Sequence, residues 1–467
     1  MQETLIGTTL TYYLIAFDAN GKERENNGEL ISQKVLDILS KSQQSNRPIT
    51  DIFLMSHGWQ GDVPAATSQY KKWITAMGQN RADFEKMKQV RPGFNPLLIG
   101  LHWPSKPWGN EDLKAVSPDK TIVSFDTADN SQEDLIEQYA QRIADTETTR
   151  EALRTIFTAA GEYEVAPDTL PSEVREACQV LIKEASLSAE GEDADGWSEN
   201  EPLDLNPESV YEATLAEESG DVSFGIGDDL KLAADRFLNI PRLLSFWKMK
   251  DLARKIGQTS GFNLLNRLQQ VTDKTVRFHL IGHSFGCIFV SATVAGTKNN
   301  KLIRPVNSLV LIQGALSLWS FCSNVPHRKN IPGYFHSIIS DRKVTGAIIT
   351  TQSKYDNAVK NAYPMAGTLG IFGGQDIDFD VNTTNYPGVG GIGCYGIQGD
   401  GLQISADITY MRSLEKSYDF EPGKIYNLNS NDYIVVPSSE LDIFTGAHNA
   451  IDKPEVAHAV WSAAYAT

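Results

Sequence analysis

Val276-Arg277-Phe278-His279-Leu280-Ile281-Gly282-His283-Ser284-Phe285-Gly286-Cys287 is the stretch on which the fold of this chain turns. An apolar run of β type enters a G-x-S-x-G sequence. Ile288-Phe289-Val290-Ser291-Ala292-Thr293-Val294-Ala295 follows and has the character of a buried helix. Strand, sharp turn and helix in that order form a nucleophile elbow, which holds a serine hydroxyl clear of the end of a sheet. Gly282 and Gly286 suit the turn because neighbouring backbone must pass close to the strained serine. Ser284 is therefore the candidate nucleophile.

Upstream of the elbow, strand and helix signals alternate. Thr9 to Phe17 is expected as a strand, Glu29 to Leu39 as a helix, and Asp51-Ile52-Phe53-Leu54-Met55 as a short buried strand. The last ends in Ser56-His57-Gly58-Trp59-Gln60-Gly61. A helical stretch from about Val63 to Met87 leads to the strand Pro96 to Trp103. Downstream, Ser308 to Ile312, Gly346 to Thr351 and Lys424 to Leu428 are further strands, and Pro454 to Ala464 is a closing helix. Such alternation predicts an α/β fold built on a mostly parallel central sheet. Residues 366–403 are glycine-rich and predict an ordered but irregular excursion.

Between about Trp108 and Ser260 the strand signal vanishes. Gln132 to Ala160 and Ser172 to Ala185 have helical character. Asn239-Ile240-Pro241 is expected to open another helix, with proline in its first turn. That helix carries an apolar stripe of Leu243, Phe246, Met249, Ala253 and Ile256. Arg242, Lys248, Lys250, Arg254 and Lys255 give it a basic character. The expected organisation is a first half-core over 1–107, a helical insertion over 108–260 placed as a cap or lid, and a second half-core over 261–467.

Of the 467 residues, 41% are apolar, enough for a substantial core. The formal charge of −17 opposes a general affinity for nucleic acid. The charge is localised. Residues 181–230 hold fifteen acids and one base, a net −14, which leaves −3 for the other 417 residues. This segment is expected to be solvated, or to screen the basic helix until a substrate or a membrane surface competes. Neither a signal peptide nor a span of roughly 18 apolar residues is apparent. Cys178, Cys287, Cys322 and Cys394 lack C-x-x-C spacing, so neither a disulfide framework nor a zinc site is indicated. A cytoplasmic protein with reduced thiols is the simplest expectation.

A serine hydroxyl needs a base, and the base needs a partner that fixes its tautomer. After this elbow the acid precedes the histidine. No Asp or Glu lies between Lys301 and Ser340, so the strand ending at Ile312 supplies none. The next strand runs into Asp356, on a loop past its end, which makes Asp356 the candidate acid. Asp341 is the runner-up, but it precedes that strand. Only His448 and His458 follow Asp356. His448 lies in a loop before the closing helix and is preferred. His458 lies inside that helix and has the position of a packed residue. The oxyanion requires two backbone N–H donors: Phe285, next after the nucleophile, and Trp59, with Gly58 the alternative. His57 is expected to be a core histidine bonded to backbone.

The elbow, the His57-Gly58-Trp59 turn and the order Ser284, Asp356, His448 resemble the α/β-hydrolase family of serine esterases and lipases. The resemblance covers about residues 1–107 and 261–467 and leaves the insertion unmatched. It implies a mostly parallel sheet with helices on both faces, no cofactor or metal, and an acyl-enzyme mechanism. Ser284 would attack a small-molecule or lipid ester, His448 would act as base and then acid, and Asp356 would hold His448. The long gap from Asp356 to His448 departs from the family pattern. An apolar acyl group is expected if Trp59, Trp103, Trp108 and Phe285 lie near the site. A peptidase, thioesterase or acyltransferase would use the same residues. The competing class is a non-enzymatic binding protein that presents the acidic insertion. No obligate protein partner is implied, and transient membrane contact is compatible with the basic helix.

Two other patterns carry no site. Gly388-Val389-Gly390-Gly391-Ile392-Gly393 matches G-x-G-x-x-G but has no strand before it and no helix after it. Asp376-Ile377-Asp378-Phe379-Asp380 lacks the glycine and distal glutamate of a calcium loop. Cys287 is expected to be a buried structural thiol.

Overall fold

The structure, a computed structural model, describes residues 2–4, 10–58, 63–105, 132–163, 167–185, 206–208, 211, 232–326, 330–362, 386, 390–436 and 447–466. Among these residues eight strands form one sheet: β1 (Gln2–Thr4), β2 (Thr11–Ala16), β3 (Asp51–Ser56), β4 (Pro96–His102), β5 (Arg277–His283), β6 (Ser308–Ile312), β7 (Ile348–Gln352) and β8 (Ile425–Asn429). Their order across the sheet is β1-β2-β4-β3-β5-β6-β7-β8. The strands β2 to β8 are all parallel, and the short edge strand β1 pairs antiparallel with β2. The expectation of a mostly parallel sheet holds. β1 went unforeseen, because three residues carry no periodicity.

The strands β2 to β8 bury residues on both faces because helices cover both. In β3, Ile52 and Leu54 belong to one core cluster, while Phe53 and Met55 belong to the other. The same alternation separates Phe278 and Leu280 from Ile281 in β5. On one face lie α2 (Val63–Gln79), α3 (Arg81–Val90) and the closing helix α12 (Pro454–Tyr465). On the other lie α1 (Ile31–Ser42), α8 (Phe262–Gln270), α9 (Phe285–Ala295), the helix that leaves the elbow, and the short α10 (His336–Ser340). The expected helix from Val63 to Met87 is two helices broken at Asn80, whose amide donates to the Pro454 carbonyl.

Between β4 and β5 the described residues form helices: α4 (Gln132–Ile143), α5 (Glu147–Glu162), α6 (Ser172–Ala185) and α7 (Leu232–Ile256). They pack on one another, and α7 packs on α9. Thr146 separates α4 from α5 by capping the latter, its hydroxyl accepting from the Thr149 N–H at 3.2 Å. Buried residues of all four helices join the core cluster that covers the α9 face of the sheet.

Two expectations for α7 are corrected. The helix begins at Leu232 instead of at 239–241, and Pro241 lies inside it. Packing on the core sustains a helix through a residue that removes one internal hydrogen bond. Nor does α7 present all of its basic residues to solvent: Lys255 is exposed, but others are not. Lys250 and Arg254 are buried, Lys250 over the Trp247 ring at 4.8 Å and Arg254 among Asp251, Gln258 and the Tyr334 hydroxyl. Long cationic side chains can bury their stems and still satisfy their heads. The side chains of Arg242, Leu243 and Phe246 lie outside the described residues, as do almost all of 186–231 and therefore nearly all of the acidic segment. No described helix is long and apolar enough to cross a membrane.

A π-helical turn (Gly257–Gly261) links α7 to α8 and lies against α9. A Cβ on Gly257 would fall 2.5 Å from the Phe289 carbonyl oxygen, so only glycine permits this approach. The helical insertion is thereby seated against the helix that carries the candidate nucleophile.

Candidate functional site

β3, β5, β6 and β7 run parallel, so their C-terminal ends deliver side chains to one edge of the sheet. Ser284 follows β5 directly and has φ 55° and ψ −125°. A non-glycine residue in that region stores strain, about 1–3 kcal/mol, that the surroundings must hold. Here the restraints are plain. The Ser284 N–H donates to the Ile312 carbonyl at 3.1 Å, and its carbonyl accepts from Cys287 N at 3.0 Å and Ala315 N at 3.3 Å. Its own N–H is thus committed to the fold. Gly286 lets α9 press onto the turn after β3: a Cβ there would lie 2.3 Å from the Ser56 oxygen and 2.5 Å from the His57 oxygen.

Gly58 meets the elbow from the other side. A Cβ on it would fall 2.8 Å from Ser284 Cβ and 3.1 Å from His283 Nδ1. The Gly58 carbonyl accepts from His57 Nδ1 at 2.8 Å and from the Ser105 hydroxyl at 3.1 Å. His57 Nε2 in turn accepts from the Trp103 N–H at 3.3 Å, which leaves the proton on Nδ1. Burial, and then repulsion from the neighbouring His102, pull the His57 pKa down to about 3 against the bond to Gly58. His57 is therefore a neutral core histidine bonded to backbone, as expected. The Tyr70 hydroxyl braces the same turn by accepting from the His57 N–H at 2.9 Å.

Asp356 and His448 come together. His448 Nδ1 lies 2.8 Å from Asp356 Oδ2, and both residues are buried. Because a carboxylate only accepts, Nδ1 is the donor, and in the neutral imidazole that tautomer has its lone pair on Nε2. Asp356 also accepts from Val359 N on Oδ1 at 2.9 Å and from Gln313 Nε2 on Oδ2 at 2.8 Å. The loops are joined by the Ala447 N–H donating to the Tyr355 carbonyl at 2.8 Å.

The link from this pair to Ser284 passes through His283. Its Nε2 donates to the His448 carbonyl at 2.9 Å, and its Nδ1 accepts from the Gln69 amide at 2.9 Å. The His283 and His448 rings lie 4.8 Å apart. Burial first, then the proximity of His448, hold the His283 pKa well below the usual range, so it stays neutral. No hydrogen bond between the Ser284 hydroxyl and His448 is present among the described residues. In resting enzymes such bonds are often long and tighten when substrate binds.

The other candidates separate cleanly. Phe285 opens α9, with its N–H at the helix start and its ring buried in the core. Trp59 and Trp108 lie outside the described residues. Trp103 is fully buried and stacks on His57 at 5.6 Å, so neither it nor the Phe285 ring lines an open surface. The expected apolar-acyl preference loses both of these supports. Asp341 is exposed and faces Lys343 at 3.7 Å. His458 is bonded to Asp83 at 2.8 Å, far from the triad candidates in its contacts. Cys287 is buried, with its Sγ 3.6 Å from the Ile312 carbonyl. The Asp376–Asp380 run lies outside the described residues, and of the G-x-G-x-x-G pattern the short helix α11 (Ile392–Tyr395) takes the last part.

Gln69, His283, Gln313 and Thr351 were not singled out by sequence. His283 stood in view as the variable residue of G-x-S-x-G. Gln313 occupied the place after β6 where an acid was sought. Comparison with protein-family models, with curated proteins and with solved structures found no match to this chain.

Proposed function

We propose that this chain is a serine hydrolase of α/β-hydrolase type that cleaves a carboxylic ester. The observation that carries the proposal is the meeting, at one edge of the sheet, of a strained serine elbow with a histidine bonded to a buried aspartate and tied to the elbow by His283. A structural serine has no need of positive φ, and a structural histidine has no need of a loop locked from three sides.

In the proposed reaction Ser284 Oγ attacks the ester carbonyl while His448 Nε2 takes its proton. Asp356 keeps the imidazole in the required tautomer and stabilises the imidazolium. The N–H at Phe285, with Trp59 or Gly58, holds the negative oxygen. Collapse of the tetrahedral intermediate expels the alcohol, which takes the proton from His448. Water then attacks the acyl-enzyme with His448 again as base and releases the acid. The seven parallel strands covered by helices on both faces, together with the elbow, support the finer fold assignment. The acyl group is left open, since the aromatic residues invoked for it are buried.

Intact-mass labelling with a fluorophosphonate, comparing wild type with Ser284→Ala and His448→Ala, is the test. One adduct on wild type, absent from Ser284→Ala and strongly slowed in His448→Ala, is the expected result. Absence of any adduct on folded wild type would favour a binding protein.

A further inference from the structure

Gln313 is buried, follows β6 immediately and has φ 45°, a left-handed conformation uncommon for a residue with a side chain. Its side chain is fully bonded. Nε2 donates to Asp356 Oδ2 at 2.8 Å and to the Gly393 carbonyl at 3.2 Å. Oε1 accepts from the Thr351 hydroxyl at 3.0 Å, and the same hydroxyl accepts from the Gln313 N–H at 2.9 Å. The orientation of the amide is determined, because a flipped amide would set its oxygen against a carboxylate and a carbonyl. Gly393 packs so closely that a Cβ on it would lie 2.8 Å from the Gln313 carbonyl carbon.

Asp356 Oδ2 therefore receives two donors, His448 Nδ1 and Gln313 Nε2. The Val359 N–H holds Oδ1 and Gln313 Nε2 holds Oδ2, so the carboxylate is gripped at both oxygens with Oδ2 turned to His448. The chemistry of the amide matters. A lysine or arginine here would compete for Asp356 with its own positive charge, and a glutamate would repel it. A neutral donor, itself immobilised by Thr351 and Gly393, orients without doing either. We infer that Gln313 is a positioning residue, which, acting through Asp356 with Thr351 as its anchor, sets the orientation of His448. The inference rests on the triad proposed above, but its geometric content is separate from turnover.

The test uses the full chain with Gln313→Leu, the isosteric Gln313→Glu and Thr351→Val, each checked for folding by circular dichroism and melting. The first readout is the low-field proton resonance of the His448–Asp356 bond, assigned by its absence in His448→Ala. The second is the rate of fluorophosphonate labelling, with kcat and KM on any ester that is turned over. Loss of an outer-shell partner is expected to slow labelling and kcat by about 10–100-fold with KM little changed. The resonance should shift or disappear in Gln313→Leu, and to a lesser degree in Thr351→Val. A merely structural role would lower melting and leave the resonance in place. If folded Gln313→Leu or Gln313→Glu keeps both the resonance and the wild-type labelling rate, the inference is overturned. If wild type is never labelled but the resonance still depends on Gln313, the hydrolase proposal fails and the positioning role stands.

Discussion

Replacing Gly58 with alanine adds one methyl group at the point where the turn after β3 touches the elbow. That carbon would sit 2.8 Å from Ser284 Cβ, 3.1 Å from His283 Nδ1 and 3.3 Å from the His283 carbonyl oxygen. Comfortable separations between carbons are about 3.5–4.0 Å, so the two segments must part by about 1 Å. Neither side yields easily. Ser284 is held by its bonds to Ile312 and Ala315, and His283 by Gln69 and the His448 carbonyl. Overpacking of this kind costs about 1–3 kcal/mol, which in a chain of this size lowers the melting temperature by only a few degrees. Function is more sensitive, because a displacement of about 1 Å costs about 100-fold in rate. The expected result for Gly58→Ala is labelling of Ser284 slowed by about 100-fold in a protein that remains folded. Gly161→Ala serves as the control. It lies inside α5 with nothing within 4 Å of the added carbon, and helix propensity favours it by up to about 1 kcal/mol. Labelling of Gly58→Ala at the wild-type rate, with melting unchanged, would refute the contact between the turn and Ser284.

Two further outcomes follow from other contacts. His283→Phe keeps a ring beside His448 but removes the donor to its carbonyl, so labelling should fall by about tenfold or more, with a stability loss of about 1–3 kcal/mol from the unpaired group; equal labelling rates would show that the tether is dispensable. In His458→Gln the effect should depend on pH. Burial lowers the pKa of His458, but its bonds to Asp83 and to the Lys416 carbonyl outweigh burial and leave it raised. The stability that it contributes is therefore fully present below about pH 6.5 and lost as pH rises through the higher folded value. The difference between wild type and His458→Gln, read by denaturant titration, should be largest near pH 6, about 3 kcal/mol for a broken buried pair, and should shrink toward pH 9. A constant difference over that range would contradict the assignment.

The parts of the fold that were legible in the sequence were those where one local pattern has one physical solution. β6, at Ser308–Ile312, and α6, at Ser172–Ala185, fall at their expected bounds because apolar period and flanking residues agree. Ser284 was legible because strain, glycines and the strand-to-helix switch coincide within ten residues. Asp356 and His448 emerged from chain order, and the structure brings those two side chains together. Gln313 was invisible for the opposite reason: its partners Thr351, Asp356 and Gly393 lie 38 to 80 positions away, and a glutamine after a strand has no periodic signature. Lys250 and Arg254 misled because charge in a helix suggests solvent, while here both are buried, Lys250 over the Trp247 ring and Arg254 beside Gln258 and Tyr334. Pro241 misled likewise, since packing overrode its preference for a first turn.

The interleaving of early and late chain gives the site a schedule. The face of the sheet covered by α2 and α3 is completed by α12, where the Trp461 indole donates to the Met77 carbonyl across 384 positions at 3.0 Å. The elbow itself waits for a histidine whose carbonyl lies 165 positions beyond His283. At about 5–20 residues per second, a ribosome needs on the order of ten to thirty seconds to cover that distance. For that interval the nascent chain carries Ser284 without its proposed base and with a bare apolar face beside it. The hydroxyl would be armed only when the segment that buries that face has been made, which ties the onset of reactivity to the completion of the core.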